Sequence, residues 1–314
     1  MKNCPKCHVE VSEKAKFCIK CGFNIKKHEE ENAQQKYFCP ECGTAFIGGS
    51  FCPECGTCIN DYLSTPLPIE HPGLEIEGTV LVKYTGKSRY LQIPCGITEI
   101  YDSAFENNEV ILSVEIPEGV TIIGKKAFAG CHHLQKVTLP STVEEIYDEA
   151  FCSCSELRKI DLPNKITKIR YRTFAYCGFK SINIPQRVTT IGGEAFWNCQ
   201  NLEEITIQPT VEKIDTRAFD SCTSLKKLTL PSTVKTIANL AFAGCSSLQT
   251  IQIQNTEYDG YYSSTFECCK NIKIVYVPKG KIEVIKDKLF RGYTLFRPGF
   301  GERAPDPNIT FIEY

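Results

Sequence analysis

Nineteen cysteines in a chain of 314 residues are the first chemistry to account for. They fall into two populations. Nine lie within residues 1–58, mostly as Cys-x-x-Cys pairs, and ten lie within 95–269, mostly singly. Cys4, Cys7, Cys18 and Cys21 form two knuckles separated by ten residues, and Cys39, Cys42, Cys52 and Cys55 repeat the plan with a nine-residue spacer. Each Cys-x-x-Cys lets two sulfurs converge on one ion. Four thiolates suit tetrahedral zinc and leave no position for a substrate water. Two structural Zn2+ ions are therefore expected, one per pair of knuckles, with iron–thiolate chemistry as the alternative the same ligands allow. Stretches of about 25 residues cannot bury enough apolar surface to fold unaided, so the metal should supply their folding free energy. His8 and Cys58 stand beside complete four-cysteine sets and read as bystanders.

A second constellation is Cys131-His132-His133 within 126-KAFAGCHHLQKVTLP-140. Three adjacent metal-binding side chains invite a site, but the rest of the chain splits them. Ala-Phe or Thr-Phe pairs recur with Phe105, Phe128, Phe151, Phe174, Phe196, Phe219, Phe242 and Phe266, at steps of 23, 23, 23, 22, 23, 23 and 24 residues. Cys131, Cys154, Cys177, Cys199, Cys222, Cys245 and Cys269 each follow their Phe by three residues, with Asn108 in that place in the first copy. Cys131 is thus one rung of an inward ladder. His132 and His133 occupy a variable turn filled elsewhere by Ser155-Glu156 and Gln200-Asn201.

A repeated unit that cannot bury its apolar face alone must stack on its neighbours, which is the sequence mark of a solenoid. The unit reads AF-x-x-C-x-x-L-x-x-I-x-L-P-x-x-V-x-x-I. Its L-x-x-I-x-L segment ends in period-2 alternation of strand-forming residues and predicts a short strand, which Pro140, Pro163, Pro185 and Pro231 close. The V-x-x-I segment predicts the opposite wall. Consecutive strands should stack in parallel, about 4.8 Å apart. Side chains pointing out from these strands include Lys136, Thr138, Lys159, Asp161, Glu204, Thr206, Lys227 and Thr229. Their mixed charges make a salt-bridge lattice and not a stripe for nucleic acid.

Charge and composition exclude several classes. Thirty-six basic residues against 37 acidic ones argue against general polyanion binding. No apolar run approaches the roughly 20 residues of a membrane helix. The opening MKNCPKCHVEVSEKAK lacks an apolar signal region, so a cytoplasmic location is expected. Residues 1–60 carry eight Lys, no Arg and seven Glu, and four-thiolate zinc sites add negative charge. Nucleic acid is thus a disfavoured ligand of that region. Five histidines offer no nucleophile–base pairing, and no glycine-rich phosphate loop or carboxylate dyad appears.

Residues 3–57 resemble the double zinc ribbon family at all eight paired cysteines. From about 74 to 278 the chain resembles the BspA-like leucine-rich-repeat family, carried by 116-IPEGVTIIGKKAFAGCHHL-134 and 184-IPQRVTTIGGEAFWNCQNL-202. The resemblance implies a mainly β fold: a leucine-rich-repeat solenoid of about eight 23-residue coils preceded by two small zinc ribbons. It also implies adhesion or protein–protein contact and no catalysis.

The expected organisation is a first ribbon at 1–26, a short linker at 27–36 and a second ribbon at 37–58. A flexible linker at 59–73 leads to the solenoid at 74–278, and a cap or tail follows at 279–314. A hairpin around Thr85-Gly86 should cover the open N-terminal end of the core, and 277-VPKGKIEVIKDKLF-290 predicts an amphipathic helix. The expected function is non-enzymatic. The strand face binds a protein partner, with the ribbons as structural or secondary docking elements. The alternative is a regulatory or nucleic-acid-binding role through the ribbons.

Overall fold

The computed structural model describes residues 2–3, 10–11, 36–38, 45–47, 73–258, 264–290 and 309–314. The eight paired cysteines therefore lie outside the described residues. The chain divides into two compact units, Met1–Ile69 and Glu70–Tyr314. In the first unit, Lys2–Asn3 pairs antiparallel with Glu10–Val11, and Lys36–Phe38 pairs antiparallel with Ala45–Ile47. In sequence, each hairpin brackets the first knuckle of its set, Cys4 and Cys7 in one, Cys39 and Cys42 in the other.

The second unit is a solenoid with two parallel walls. One wall is built from the I-x-L positions, with Tyr90–Gln92, Ser113–Glu115 and Lys136–Thr138 in register. The other is built from V-x-x-I, with Glu99–Ile100, Ile122–Ile123 and Glu145–Ile146 in register. Alternation decides which side chains face in: Val114, Val137, Ile182 and Leu228 are buried between exposed or half-buried neighbours. All eight repeat phenylalanines are buried at 0–1% exposure and stack from coil to coil, with centroid distances running from 4.6 Å for Phe105–Phe128 to 5.8 Å for Phe151–Phe174. Each such side chain contributes about 1.5–3 kcal/mol through burial, and ring pairing adds about 0.5–1.5.

Two columns of left-handed backbone flank this spine. Ser103, Lys126, Glu149, Arg172, Glu194, Arg217 and Leu240 precede their phenylalanines by two residues, with φ between 50° and 59°. Asn107, Ser153, Tyr176, Asn198, Ser221 and Cys268 follow theirs by two, with φ between 56° and 63°. Non-glycine residues in this region cost about 1–2 kcal/mol each, which the ladder of amide bonds between coils must offset. Phe128 N–H, for instance, donates to the Ala150 carbonyl at 2.8 Å, and Phe151 N–H to that of Thr173 at 2.9 Å.

Both walls are interrupted at the same step. Lys159 meets Lys136 in a single isolated bridge, and the next regular strand, Ser181–Asn183, pairs forward with Glu204–Thr206 only. On the other wall Glu145–Ile146 ends one sheet and Lys168–Ile169 begins the next. The first-wall break spans the residue missing before Phe179, while the second wall stays paired across that short step, Lys168–Ile169 with Thr190–Ile191. A further interruption of the first wall separates Glu204–Thr206 from Lys227–Leu230.

Both ends of the core are covered. At the N-terminal end Leu74–Glu77 pairs antiparallel with Val80–Tyr84, and the latter pairs in parallel with Glu99–Ile100. The hairpin thus turns at Gly78-Thr79 and not at Thr85-Gly86. Gly78 takes φ +61°, which a two-residue turn between Glu77 and Val80 needs. Tyr84 supplies the first ring of the spine, 5.3 Å from Phe105.

At the C-terminal end the expected helix spans Ile282–Leu289 and buries Ile285 and Leu289. Phe290 stacks on Phe266 at 5.1 Å. Thr310–Glu313 returns as a parallel strand beside Ile274–Val277, with Phe311 edge-on to Phe290 at 5.6 Å.

Candidate functional site

The ladder cysteines lie where the repeat demands, and each thiol has one job. Every Sγ donates to the phenylalanine carbonyl of the preceding coil: Cys131 to Phe105 at 3.1 Å, Cys154 to Phe128 at 3.2 Å, Cys177 to Phe151 at 3.1 Å and Cys199 to Phe174 at 3.1 Å. Cys222, Cys245 and Cys269 continue to Phe196, Phe219 and Phe242 at 3.2, 3.3 and 3.0 Å. Asn108, in the first coil, instead accepts from the N–H groups of Val110 and Ile111 at 3.0 and 2.9 Å. Burial pushes the Cys131 and Cys199 thiols up to about 12 and those of Cys154, Cys177 and Cys222 well above 9. A protonated, shielded thiol is a donor and a poor nucleophile.

The trio at 131–133 separates as its place in the repeat requires. Cys131 is buried, while His132 and His133 are exposed. His133 Nδ1 lies 3.1 Å from Glu156 on the next coil, and Gln135 donates to the same carboxylate at 3.0 Å. Among the described residues no group of three or more His, Cys, Asp or Glu can hold a metal ion. Of the off-register cysteines, Cys268 is exposed, while Cys95 and Cys152 are half-buried. Tyr258 is buried at 4% exposure, which makes it part of the core at the long coil, while Tyr261 and Tyr262 lie outside the described residues.

All eight outward strand residues named from the sequence, Lys136, Thr138, Lys159, Asp161, Glu204, Thr206, Lys227 and Thr229, are exposed. Register places Lys136 beside Ser113, Glu204 beside Ser181 and Lys227 beside Thr250. Lys159 and Asp161 pair within one rung at 3.0 Å, both about four-fifths exposed. Glu203 and Lys226 pair between rungs at 2.6 Å, and this contact lowers the carboxyl and raises the ammonium from their ordinary values. The row is polar and of mixed charge.

A cluster of aromatic and arginine side chains is one feature the period hid. Arg170 lies over the Tyr147 ring at 4.7 Å, and Arg172 lies 5.2 Å from the Tyr171 ring and 4.9 Å from that of Trp197. Tyr176 meets Trp197 edge-to-face at 4.9 Å. Both guanidinium groups are paired, Arg170 with Glu145 at 2.7 Å and Arg172 with Glu194 at 2.6 Å. The signal in the sequence was Trp197 itself, the only tryptophan, placed where other coils carry Ala, Cys, Asp or Glu.

Comparison with known proteins agrees with this architecture. The family model described as a BspA type leucine rich repeat region matches residues 80–203 and 189–297, in six copies. A zinc-ribbon domain model matches residues 3–25, a span that contains Cys4, Cys7, Cys18 and Cys21. The crystal structure of a leucine-rich repeat protein of T. pallidum is similar at 28% identity, with a TM-score of 0.51, over 54% of this chain and 82% of that one. A leucine-rich repeat protein from Bacteroides ovatus shares 23% identity over 77% of this chain and 69% of its own, at a TM-score of 0.49. No curated protein matches. Spanned by that repeat model over 80–297, the chain belongs to the BspA type leucine-rich-repeat family.

Proposed function

We propose that the protein is a non-enzymatic interaction module whose solenoid strand face binds a protein partner. One observation carries this reading: the eight outward residues from Lys136 to Thr229 are all exposed along a wall whose inward neighbours form the core. Pre-ordered backbone reduces what a partner must spend on fixing the surface it meets. Intermixed lysine and carboxylate side chains favour a partner that is itself polar and of mixed charge, and set register more than raw affinity. Two zinc ions, held by Cys4, Cys7, Cys18 and Cys21 and by Cys39, Cys42, Cys52 and Cys55, fold the N-terminal ribbons, which serve as a second docking element. The zinc-ribbon match at 3–25 and the hairpin around each first knuckle support this. Thiolate zinc ligands suit a reducing compartment, so the module is read as cytoplasmic. Among the described residues, no helix is long and apolar enough to cross a membrane.

The test uses the full chain as bait in its native host. The triple variant K136E/K159E/K227E should lose a partner that the wild type captures. Equal capture by both would remove the strand face from the account.

A further inference from the structure

The single-residue deletion leaves an opening. In the variable turn, His133, Glu156 and Asn201 occupy one column, and the Phe174 coil has no residue there because Cys177-Gly178 runs straight into Phe179. Phe179 fills the usual leucine position, fully buried and edge-on to Phe174 at 5.6 Å. Gly178 is drawn against the preceding coil so closely that a Cβ would stand 2.2 Å from the Ser155 carbonyl oxygen. What remains is a notch of about 330 Å³ between coils, lined by His132, Ser153, Ser155, Tyr176, Asn198, Gln200 and Asn201 beside Cys177-Gly178. That size falls within the range of about 300–1,000 Å³ usual for small-ligand sites.

The chemistry of the lining is selective. No lysine, arginine, aspartate or glutamate contributes to it, in a chain that is 23% charged. The nearby arginines are neutralised by Glu145 and Glu194. A phosphate or carboxylate would find only the His132 imidazole, and an ammonium would find no carboxylate. Tyr176, 37% exposed, presents a ring on one side and is held by its edge-to-face contact with Trp197. Carboxamides share the lining. Gln200 donates to Asn198 Oδ1 at 3.0 Å, which orients that pair, while the Asn201 amide and the Tyr176 hydroxyl have no hydrogen-bond partner among the described residues. A carboxamide offers donors and acceptors together, and the same is true of a sugar hydroxyl.

We propose that this notch is a carbohydrate site that takes a neutral sugar unit of a glycan. The C–H face of the sugar ring lies on Tyr176, and its hydroxyls pair with Asn198, Gln200 and Asn201. The site is separate from the strand face and does not depend on it.

Trp197 is the only tryptophan, so its emission reports on this corner alone. The full chain is titrated with maltotriose, cellotriose and chitotriose at millimolar concentrations, with saturation-transfer NMR as a second readout. At least one trisaccharide should give a saturable change. Tyr176→Gly keeps the left-handed backbone that Gly130 and Gly244 adopt at the same place in their coils. This variant and Asn201→Ala should each weaken binding by about tenfold or more in the NMR readout, with circular dichroism unchanged. Tyr101→Ala, an exposed aromatic of the first coil, should bind as the wild type does. The proposal is overturned if none of the three sugars saturates, or if binding survives in both notch variants. It is equally overturned if sialyllactose binds as well as the neutral sugars, or if a Gly-Asn-Gly peptide responds where sugars do not.

Discussion

The two units carry one side chain at two different spacings, and opposite uses are expected of it. In residues 1–58 cysteines come in pairs, and a pair two residues apart is useful only when deprotonated, converging and charged. In the solenoid seven of the ten recur once per coil, and each of these seven donates its hydrogen to the Phe carbonyl of the coil before. Spacing makes the difference. A two-residue gap sets sulfurs side by side for an ion, while a 23-residue gap sets them one coil apart, where a carbonyl is the nearest polar group. Stability in the first unit is expected to come from metal and in the second from apolar stacking. A single cysteine count would merge two unrelated designs.

Four experiments would break or sharpen that contrast. The largest effect is expected from chelation. Stripping zinc should abolish the N-terminal unfolding transition, since structural zinc is worth about 10–16 kcal/mol of apparent folding energy, and leave the solenoid transition in place. Elemental analysis before chelation should find two zinc ions per chain. A joint loss of both transitions would contradict the division of labour.

Next in size is the spine. Phe151→Ala should cost the solenoid about 3–5 kcal/mol, read by denaturant midpoint, and not alter zinc content. Gly178→Ala should cost about 2–3 kcal/mol through the clash with the Ser155 carbonyl.

Alkali comes third. Unfolding returns the Cys131 and Cys199 thiols from about 12 to their ordinary value near 9. Above pH 9 the unfolded chain therefore holds fewer protons than the folded one, and stability must fall as pH rises from 9 towards 12. It should be flat below pH 9 on account of these groups. Cys199→Ala should shallow the fall, while its lost hydrogen bond to Phe174 costs about 1–3 kcal/mol at neutral pH. A melting temperature with no alkaline slope would show that the ladder thiols ionise freely.

The smallest effect is a gain. Leu240 holds φ +59°, and Leu240→Gly should stabilise the solenoid by up to about 1 kcal/mol in thermal unfolding.

Much of this was legible without coordinates, because a repeat reports its own errors. Seven cysteines at one phase of the period identified Cys131 as core and left His132 and His133 on the surface. The same phase marked Lys136 and its counterparts as outward. What escaped was whatever the period does not encode. Two glycine turns, at Gly78 and Gly86, were available for the first hairpin, and pairing with Glu99–Ile100 selected the former. The last strand, Thr310–Glu313, is 33 residues beyond the wall it joins, so no local pattern linked them. The left-handed positions two residues before each Phe are filled by Ser, Lys, Glu, Arg and Leu, so residue type gave no hint of that column, whereas Asn107, Gly130, Asn198 and Gly244 mark the other. The Arg170–Arg172 cluster with its rings is made by neighbours on different coils. The deletion at Gly178 was visible as a short step, but its cost to the ladder was not.

That cost has a mechanical meaning. In a stacked array each coil is held only by its neighbours, and the step between the Phe151 and Phe174 coils has lost regular pairing on both walls. The aromatic spine still crosses it, at 5.8 Å, its widest spacing. This step is the weakest of the stack, still crossed by the bond from Phe151 N–H to the Thr173 carbonyl, and hydrogen exchange entering from either terminus should pause here. A pull along the axis would open the same seam first, leaving the phenylalanine rings and the flanking amide bonds, such as Phe151 N–H to the Thr173 carbonyl, to part last.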